Sequence, residues 1–333
     1  MASARPAAHD VVAIGNAIVD VLAHADESFL AAHGMDKGIM TLIDADRAEA
    51  IYQAMGPGVE CSGGSAANTA AVISSLGGSP AYIGKVKDDI LGTVFRHDIE
   101  RAGVAFSCAM SGNGTSTARC LILVTGDGER TMNTYLGACR ELTAADIDAG
   151  LIADSRVVYL EGYLWDEPAA KAAMLAACRA ARAAGREVAM SLSDPFCVHR
   201  HRAEFQKLVK GEVDVLFANQ DEAIALFEAA DFDAAVDSIR PHVAVAAITR
   251  GAAGCVVISG GETLAVAPDP VAKVVDTTGA GDAFAAGFLR AYTQGHPLSV
   301  CGRLGNLAAG RIITHFGARP ERPMADLYAR ATA

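Results

Sequence analysis

The sequence predicts an α/β protein with a mainly parallel central sheet, helices on both faces and a small β lid. Three observations predict it. Short β-rich runs recur at 157–163 (VVYLEGY), 187–193 (EVAMSLS), 213–219 (VDVLFAN) and 243–249 (VAVAAIT), their starts 30, 26 and 30 residues apart. That interval is close to the ~30 residues of a βαβ unit. The stretches between the runs read as helices; in 168–184, Pro168 suits a first helical turn and Gly185 a stop. Strands alternating with helices give a parallel sheet covered on both sides. An earlier run at 11–15 precedes a helix reading over 65–76 and belongs to the same sheet.

Two segments break this rhythm. Residues 17–44 contain alternating pieces (IVDVLAHA, GIMTLID), and 117–136 reads as a hairpin around Gly126-Asp127-Gly128-Glu129. A β element inserted into an α/β domain is a way to build a lid at the strand ends. The expected division is a flexible N-terminus over 1–9, a large α/β domain over 10–16, 46–112 and 138–333, and a lid over 17–45 and 113–137. Extension of the main sheet by the same strands is the alternative. There is no internal repeat.

Composition narrows the function. Of 333 residues, 51% are apolar and 20% charged, ample for a buried core and unlike a disordered chain. The net charge of −11 and the lack of a long basic run argue against binding nucleic acid phosphates. No run approaches ~18 uninterrupted apolar residues, and residues 1–9 lack the apolar core of a secretory signal. Eight cysteines are scattered without a C-x-x-C pair, the pattern of reduced thiols rather than disulfides or a zinc site. A cytoplasmic protein is expected.

The chemistry concentrates in Asp276-Thr277-Thr278-Gly279-Ala280-Gly281-Asp282-Ala283-Phe284. The segment follows a β-like stretch at 272–275 and opens a helix with apolar positions Phe284, Phe288, Ala291 and Tyr292. Gly279 and Gly281 let backbone N–H groups approach a ligand, and a helix N-terminus supplies orphan donors and partial positive charge, together an anion site. Asp282 in the first turn would repel a phosphate. It makes sense there as a base that removes a proton from an attacking hydroxyl during phosphoryl transfer. Taken alone, the segment also fits a glycine-rich turn with an ordinary first-turn acid. A P-loop, a dinucleotide fingerprint, H-E-x-x-H and a protein-kinase signature are all missing. A second cluster, Ser62-Gly63-Gly64-Ser65-Ala66-Ala67-Asn68-Thr69, leads into the 65–76 helix. There Asn68 can offer donor and acceptor to a hydroxyl pair, although the cluster by itself reads better as a Gly–Gly turn with Ser65 as N-cap.

With both clusters in this order, the chain resembles the PfkB-type (ribokinase-like) kinases of sugars and nucleosides, from Asp10 to about Pro320. DTTGAGDAFAAGF matches that family's C-terminal signature and GGSAANTA its N-terminal one. Gly15-Asn16-x-x-Val19-Asp20 and the stretch after it look most like the adenosine-kinase branch. The resemblance implies a ribokinase-like three-layer α/β/α fold, ATP and Mg²⁺ as cofactors, and transfer of the γ-phosphoryl to the 5′-hydroxyl of a ribonucleoside, adenosine first. It implies Asp282 as catalytic base and the N–H groups of Gly279, Ala280 and Gly281 as anion hole. Asp20, Gly64 and Asn68 would hold the ribose hydroxyls, and Arg130 would be a lid arginine reaching the phosphates. Asn219 and Glu222 would form the N-x-x-E element, with Glu222 positioning Mg²⁺ through water; the pair also fits a capping box. Thr249, Gly251 and Gly254 would lie near the ATP phosphates, and Asn306, on a helix expected over 304–316, at the adenine. Glu161, Tyr163 and Trp165 end a strand where ligands bind in open α/β sheets, although such aromatics are more often packing. Asp194, His199 and His201 are read as solvated rather than metal-binding. The competing functions are a ribose or fructose kinase, an inosine or guanosine kinase, and a non-catalytic ligand sensor. The expected partners are small molecules alone, on a monomer or homodimer.

Overall fold

β-branched and aliphatic residues alternate in the long runs, and both sets are buried. The structure, a computed structural model, describes residues 7–106 and 108–333. Most of the expected flexible N-terminus, residues 1–6, lies outside the described residues, and His9 already opens the first strand. The strands are β1 His9–Ile14, β2 Ile18–His24, β3 Met40–Leu42, β4 Val59–Gly63, β5 Pro80–Ile83, β6 Ala105–Phe106, β7 Ala118–Val124, β8 Arg130–Tyr135, β9 Ser155–Glu161, β10 Glu187–Ser191, β11 Val215–Asn219, β12 Val245–Thr249, β13 Cys255–Ser259 and β14 Glu262–Val266.

Nine of them form one sheet in the order β14-β13-β12-β11-β10-β9-β1-β5-β6. It is parallel from β12 to β6 and closed by the antiparallel β12-β13-β14 edge. In β9, Val157 and Tyr159 point into one core and Val158 and Leu160 into the other, as the period of two in a doubly covered sheet requires. Helices Ser65–Ser75, Ala280–Tyr292 and Leu298–Ile312 pack on the first face. Helices Pro168–Ala183, Pro195–Gly211, Gln220–Phe227 and Phe232–Ile239 pack on the second. The fold is the ribokinase-like three-layer α/β/α arrangement.

The remaining five strands make a separate sheet, β3-β8-β7-β2-β4. Its β7–β8 hairpin turns where the Gly128 N–H donates to the Thr125 carbonyl. β4 belongs to this sheet, antiparallel to β2, although the expected division puts 46–112 in the large domain. Its VECSG run alternates over only four residues before running into Gly63-Gly64, too short a pattern to stand out as a strand.

Two local expectations need correction. Residues 272–275 are not a strand. The segment runs outside the sheet and is tied by the Val275 N–H to the Ile313 carbonyl at 2.8 Å, just past the end of a helix. The helix expected over 304–316 starts at Leu298, after Pro297, and ends at Ile312. The Ile313 carbonyl then turns to serve Val275, leaving Phe316 beyond the helix and exposed.

Candidate active site

Both glycine clusters come to the C-terminal edge of the large sheet. Gly279, left-handed at φ 75°, is the N-cap of helix Ala280–Tyr292, and Asp282 lies in its first turn. Gly64, at φ 98°, is the N-cap of helix Ser65–Ser75, and a Cβ there would meet the Asn16 carbonyl oxygen. These two helices pack side by side and present their N-termini together. Across that junction the Ser65 hydroxyl donates to Asp282 Oδ1 at 2.6 Å and Asn68 Nδ2 donates to Oδ2 at 3.1 Å. Burial raises the Asp282 carboxyl above its ordinary range; the bonds from Ser65 and Asn68 and the nearby Arg319 charge oppose this.

Of the three amides expected in the anion hole, Ala280 N–H closes a turn on the Thr277 carbonyl at 3.1 Å. Those of Gly279 and Gly281 make no hydrogen bond within the protein among the described residues. Asp20, on β2, stands between Cys61 of β4 and Cys120 of β7 in the sheet register. Burial raises its carboxyl to about 6, against the charges of Arg319 and Arg130. Asn68 Oδ1 is buried without a partner, the kind of orphan acceptor that a ligand hydroxyl satisfies.

The Arg130 side chain is buried away from the hairpin surface. From the first position of β8 it crosses to the large domain and pairs with Asp276 at 2.7 Å, with both side chains under a tenth exposed. Its guanidinium also lies 5.6 Å from the Phe316 ring centroid, and its Nε and Nη2 are buried without partners. Although burial works against it, Asp276 is held below the usual carboxylate range by N–H donors of Gly317 and Thr278, the Thr278 hydroxyl and Arg130.

Two cavities flank the junction: Asp282 lines neither, but its chain neighbour Gly281 is in the wall of one and its donor Ser65 in the wall of the other. One, of about 600 Å³, is walled by Ala280, Gly281, Thr249, Gly251, Gly254 and Asn306 among others. The second, of about 770 Å³, is walled by Gly64 and Ser65, by Glu161 and Tyr163, and by lid residues such as Met40 and Met132. Asn306 Nδ2 donates to the Val266 carbonyl at 2.9 Å, which fixes it in the first wall. Asn219 is not in either wall. It stands beside Thr249 at adjacent strand ends, but it forms a complete capping box with Glu222: Nδ2 donates to Oε1 at 2.6 Å and N–H to Oε2 at 3.0 Å. Burial raises Glu222 to about 7, with the charges of Asp194 and Asp221 adding to the effect and the Asn219 donors opposing it. Each Glu222 oxygen keeps a free lone pair, a donor set that fits a magnesium ion held through its waters.

The other candidates separate. Trp165 is core: its indole N–H donates to Glu204 at 2.8 Å and its ring packs on Phe205. Tyr163 lines the second cavity. Asp194 is the N-cap of helix Pro195–Gly211. His201 is not solvated as expected but contacts Asp166 at 2.5 Å and is mostly buried, while exposed His199 meets Arg202. Glu161 is fully buried and accepts from Asn16 Nδ2 at 2.9 Å and from Ala66 N–H at 2.9 Å; burial raises it to about 7.

Sequence reasoning misses four participants. Asp276 lies in the motif without an assigned role, and Ser65 reads only as a cap. Glu161 reads with the aromatics beside it. Arg319 carries no signal at all; it donates to the carbonyls of Ser62 and Ala67 and to the Ser62 hydroxyl, each at 3.0 Å. No local pattern marks an arginine whose partners lie more than 250 residues earlier.

A carboxylate at the junction of two helix N-termini, beside two separate cavities, is an arrangement that suits an α/β phosphotransferase. The comparisons give the family. The model of the pfkB family carbohydrate kinases matches residues 38–324, and the chain belongs to that family. Adenosine kinase from Sinorhizobium meliloti is 53% identical, with 98% of this chain and 99% of that one covered at a TM-score of 0.88. A probable sugar kinase from Rhizobium etli CFN 42 is 48% identical, with the same coverages and a TM-score of 0.90. The ATP-dependent ribose-1-phosphate kinase of Halopiger xanaduensis is 34% identical over 80% of this chain and 85% of its own length. The protein is therefore a nucleoside or sugar kinase, a phosphotransferase with a hydroxyl acceptor, of a family that uses ATP. No helix among the described residues is long and apolar enough to cross a membrane.

Proposed function

We propose that the protein transfers the γ-phosphoryl group of ATP to the 5′-hydroxyl of a ribonucleoside, adenosine first. The observation that carries the choice of acceptor is the apolar wall of the second cavity. Ile39, Met40, Leu42 and Phe196 are about half to three-quarters exposed, and all of them line it. Large apolar side chains left open around one cavity mark a binding surface, and a nucleobase can cover them where a free sugar cannot. The likeness to the S. meliloti adenosine kinase supports the same reading.

In this reading Asp20, Gly64 and Asn68 hold the ribose hydroxyls, and the orphan Oδ1 of Asn68 gains its partner there. Asp282 takes the proton of the acceptor hydroxyl, and the burial that raises its carboxyl favours that uptake. The open N–H groups of Gly279 and Gly281 receive negative charge as it develops, with the helix N-terminus behind them. Thr249, Gly251, Gly254 and Asn306 line the nucleotide side, and Asn219 orients Glu222. ATP supplies the phosphoryl group, and Glu222 would hold Mg²⁺ through water, the ion supplying charge neutralisation when bound. Arg130, carried by the lid, contributes its unpartnered Nε and Nη2 once the lid is closed over the acceptor.

ADP release from ATP–Mg²⁺, measured against a panel of nucleosides and sugars, tests the proposal. Adenosine should give the highest kcat/KM, and Asp282→Asn should lower kcat by roughly a thousandfold or more with little loss of binding. Turnover of ribose or fructose without turnover of any nucleoside would overturn the choice of acceptor. Near-normal turnover by Asp282→Asn would remove it as the base.

A further inference from the structure

Glu161 is a buried carboxylate that the reaction above does not use. It ends β9, 1% exposed, and joins two segments that wall the acceptor cavity. On one side Oε2 accepts the Ala66 N–H at 2.9 Å. Ala66 is the second residue of helix Ser65–Ser75, whose N-cap is Gly64 and has no side chain to cap with. Glu161 supplies that cap from a strand 95 residues away, and the capped turn carries Ser65 and Asn68, the two donors that orient Asp282. On the other side Oε1 accepts Asn16 Nδ2 at 2.9 Å and the Asn16 N–H at 3.4 Å. The fit is close: a Cβ on Gly15 would fall 2.3 Å from Oε2.

The Asn16 contact settles a polarity. Oε1 accepts twice from Asn16, through Nδ2 and the main-chain N–H, so the NH₂ end of the Asn16 amide faces Glu161 whichever oxygen carries a proton, and the oxygen end is left for the cavity that Asn16 lines. Among the described residues Asn16 Oδ1 makes no hydrogen bond, and it is not one of the buried unpartnered atoms. We propose that Glu161 is a positioning residue for the acceptor site, fixing Asn16 with its carbonyl oxygen presented to the acceptor while capping the helix that orients Asp282. The inference rests on placing the acceptor in this cavity.

Glu161→Gln keeps the shape and changes the polarity. One amide end can still serve Ala66, but the other becomes a donor, and Asn16 must turn its amide and present NH₂ to the cavity. The expected result is a fall of about 10- to 100-fold in kcat/KM for the acceptor, the usual range for a residue supporting a site through its neighbours. KM for ATP should stay within about threefold and the melting temperature within a few degrees. Glu161→Gln combined with Asn16→Asp restores the pattern: the introduced amide's oxygen serves Ala66, its nitrogen donates to the introduced carboxylate, and an acceptor oxygen again faces the cavity. The double variant should recover kcat/KM to within about threefold of the parent, whereas Asn16→Asp alone sets two carboxylates together and should be the worst of the three.

Three results overturn the proposal: parental kinetics in Glu161→Gln, a loss shared equally by ATP and acceptor along with the folded fraction, or a double variant no better than the single. Phe196→Ala, assayed beside them, separates the causes. If it too leaves the acceptor KM unchanged, the acceptor does not occupy this cavity. If it raises that KM while Glu161→Gln does nothing, the role of Glu161 alone falls.

Discussion

Gly281→Ala separates an anion-binding loop from a mere turn, because fold and function respond to it in opposite directions. A Cβ at Gly281 would meet nothing within 4 Å, and its φ is not positive. In the first turn of helix Ala280–Tyr292, replacing Gly by Ala should stabilise the protein by about 0.5–1 kcal/mol, because less backbone freedom is lost on folding. In a chain of this size that raises Tm by about 2 °C. The same methyl sits at the wall of the 600 Å³ cavity, beside an N–H that has no partner among the described residues. Losing one charge-assisted hydrogen bond costs about 1.5–3 kcal/mol, which converts to roughly 10- to 100-fold in kcat/KM for ATP at about 1.4 kcal/mol per decade. Initial rates against ATP at saturating acceptor, together with a thermal melt, measure both quantities. A variant that melts higher and uses ATP as well as its parent would show that the glycine serves the turn only. The contrast is Gly279→Ala, where φ is 75° and the Cβ would lie 2.4 Å from the Ala318 Cβ. It should lower Tm, since the left-handed backbone alone costs about 1–2 kcal/mol.

Arg130→Met strands the buried Asp276 carboxylate and should cost about 3 kcal/mol of unfolding free energy, most of it recovered in Arg130→Met with Asp276→Asn; equal stability of all three proteins in urea would contradict a buried pair. Phe196→Ala should raise KM for a nucleoside about tenfold and leave any activity on free ribose unchanged, as steady-state rates on both acceptors would show. Glu222 gives a stability prediction. Its folded pKa of about 7 exceeds its ordinary 4.5, so its contribution is fully present below about pH 4.5 and is lost as pH rises through about 7. The loss amounts to about 3 kcal/mol. Urea unfolding at pH 5 and pH 8 should show a smaller drop in Glu222→Gln than in the parent, and parallel drops would refute a neutralised buried acid.

Several features were legible in the sequence because they are local. Strand period, the Pro168 start and Gly185 stop, the turn at 126–129 and the glycine-rich helix entry before Asp282 each depend on backbone choices among near neighbours. They suffice for the α/β class, the order of the elements and the residues of both clusters. Where local signal conflicted with packing, packing prevailed. The β-like residues 272–275 bond to the end of a helix rather than to a strand, and β4 joined the lid sheet although its run is only five residues long. What tertiary structure alone decided is who meets whom at the site. Asp282 receives Ser65 and Asn68 from more than 200 residues away, Arg130 finds Asp276, and Glu161 reaches Asn16 across 145 residues. Hydrogen bonds and ion pairs depend on distances of about 3 Å in space, and separation along the chain carries no information about those until the sheet and helices have brought the partners together.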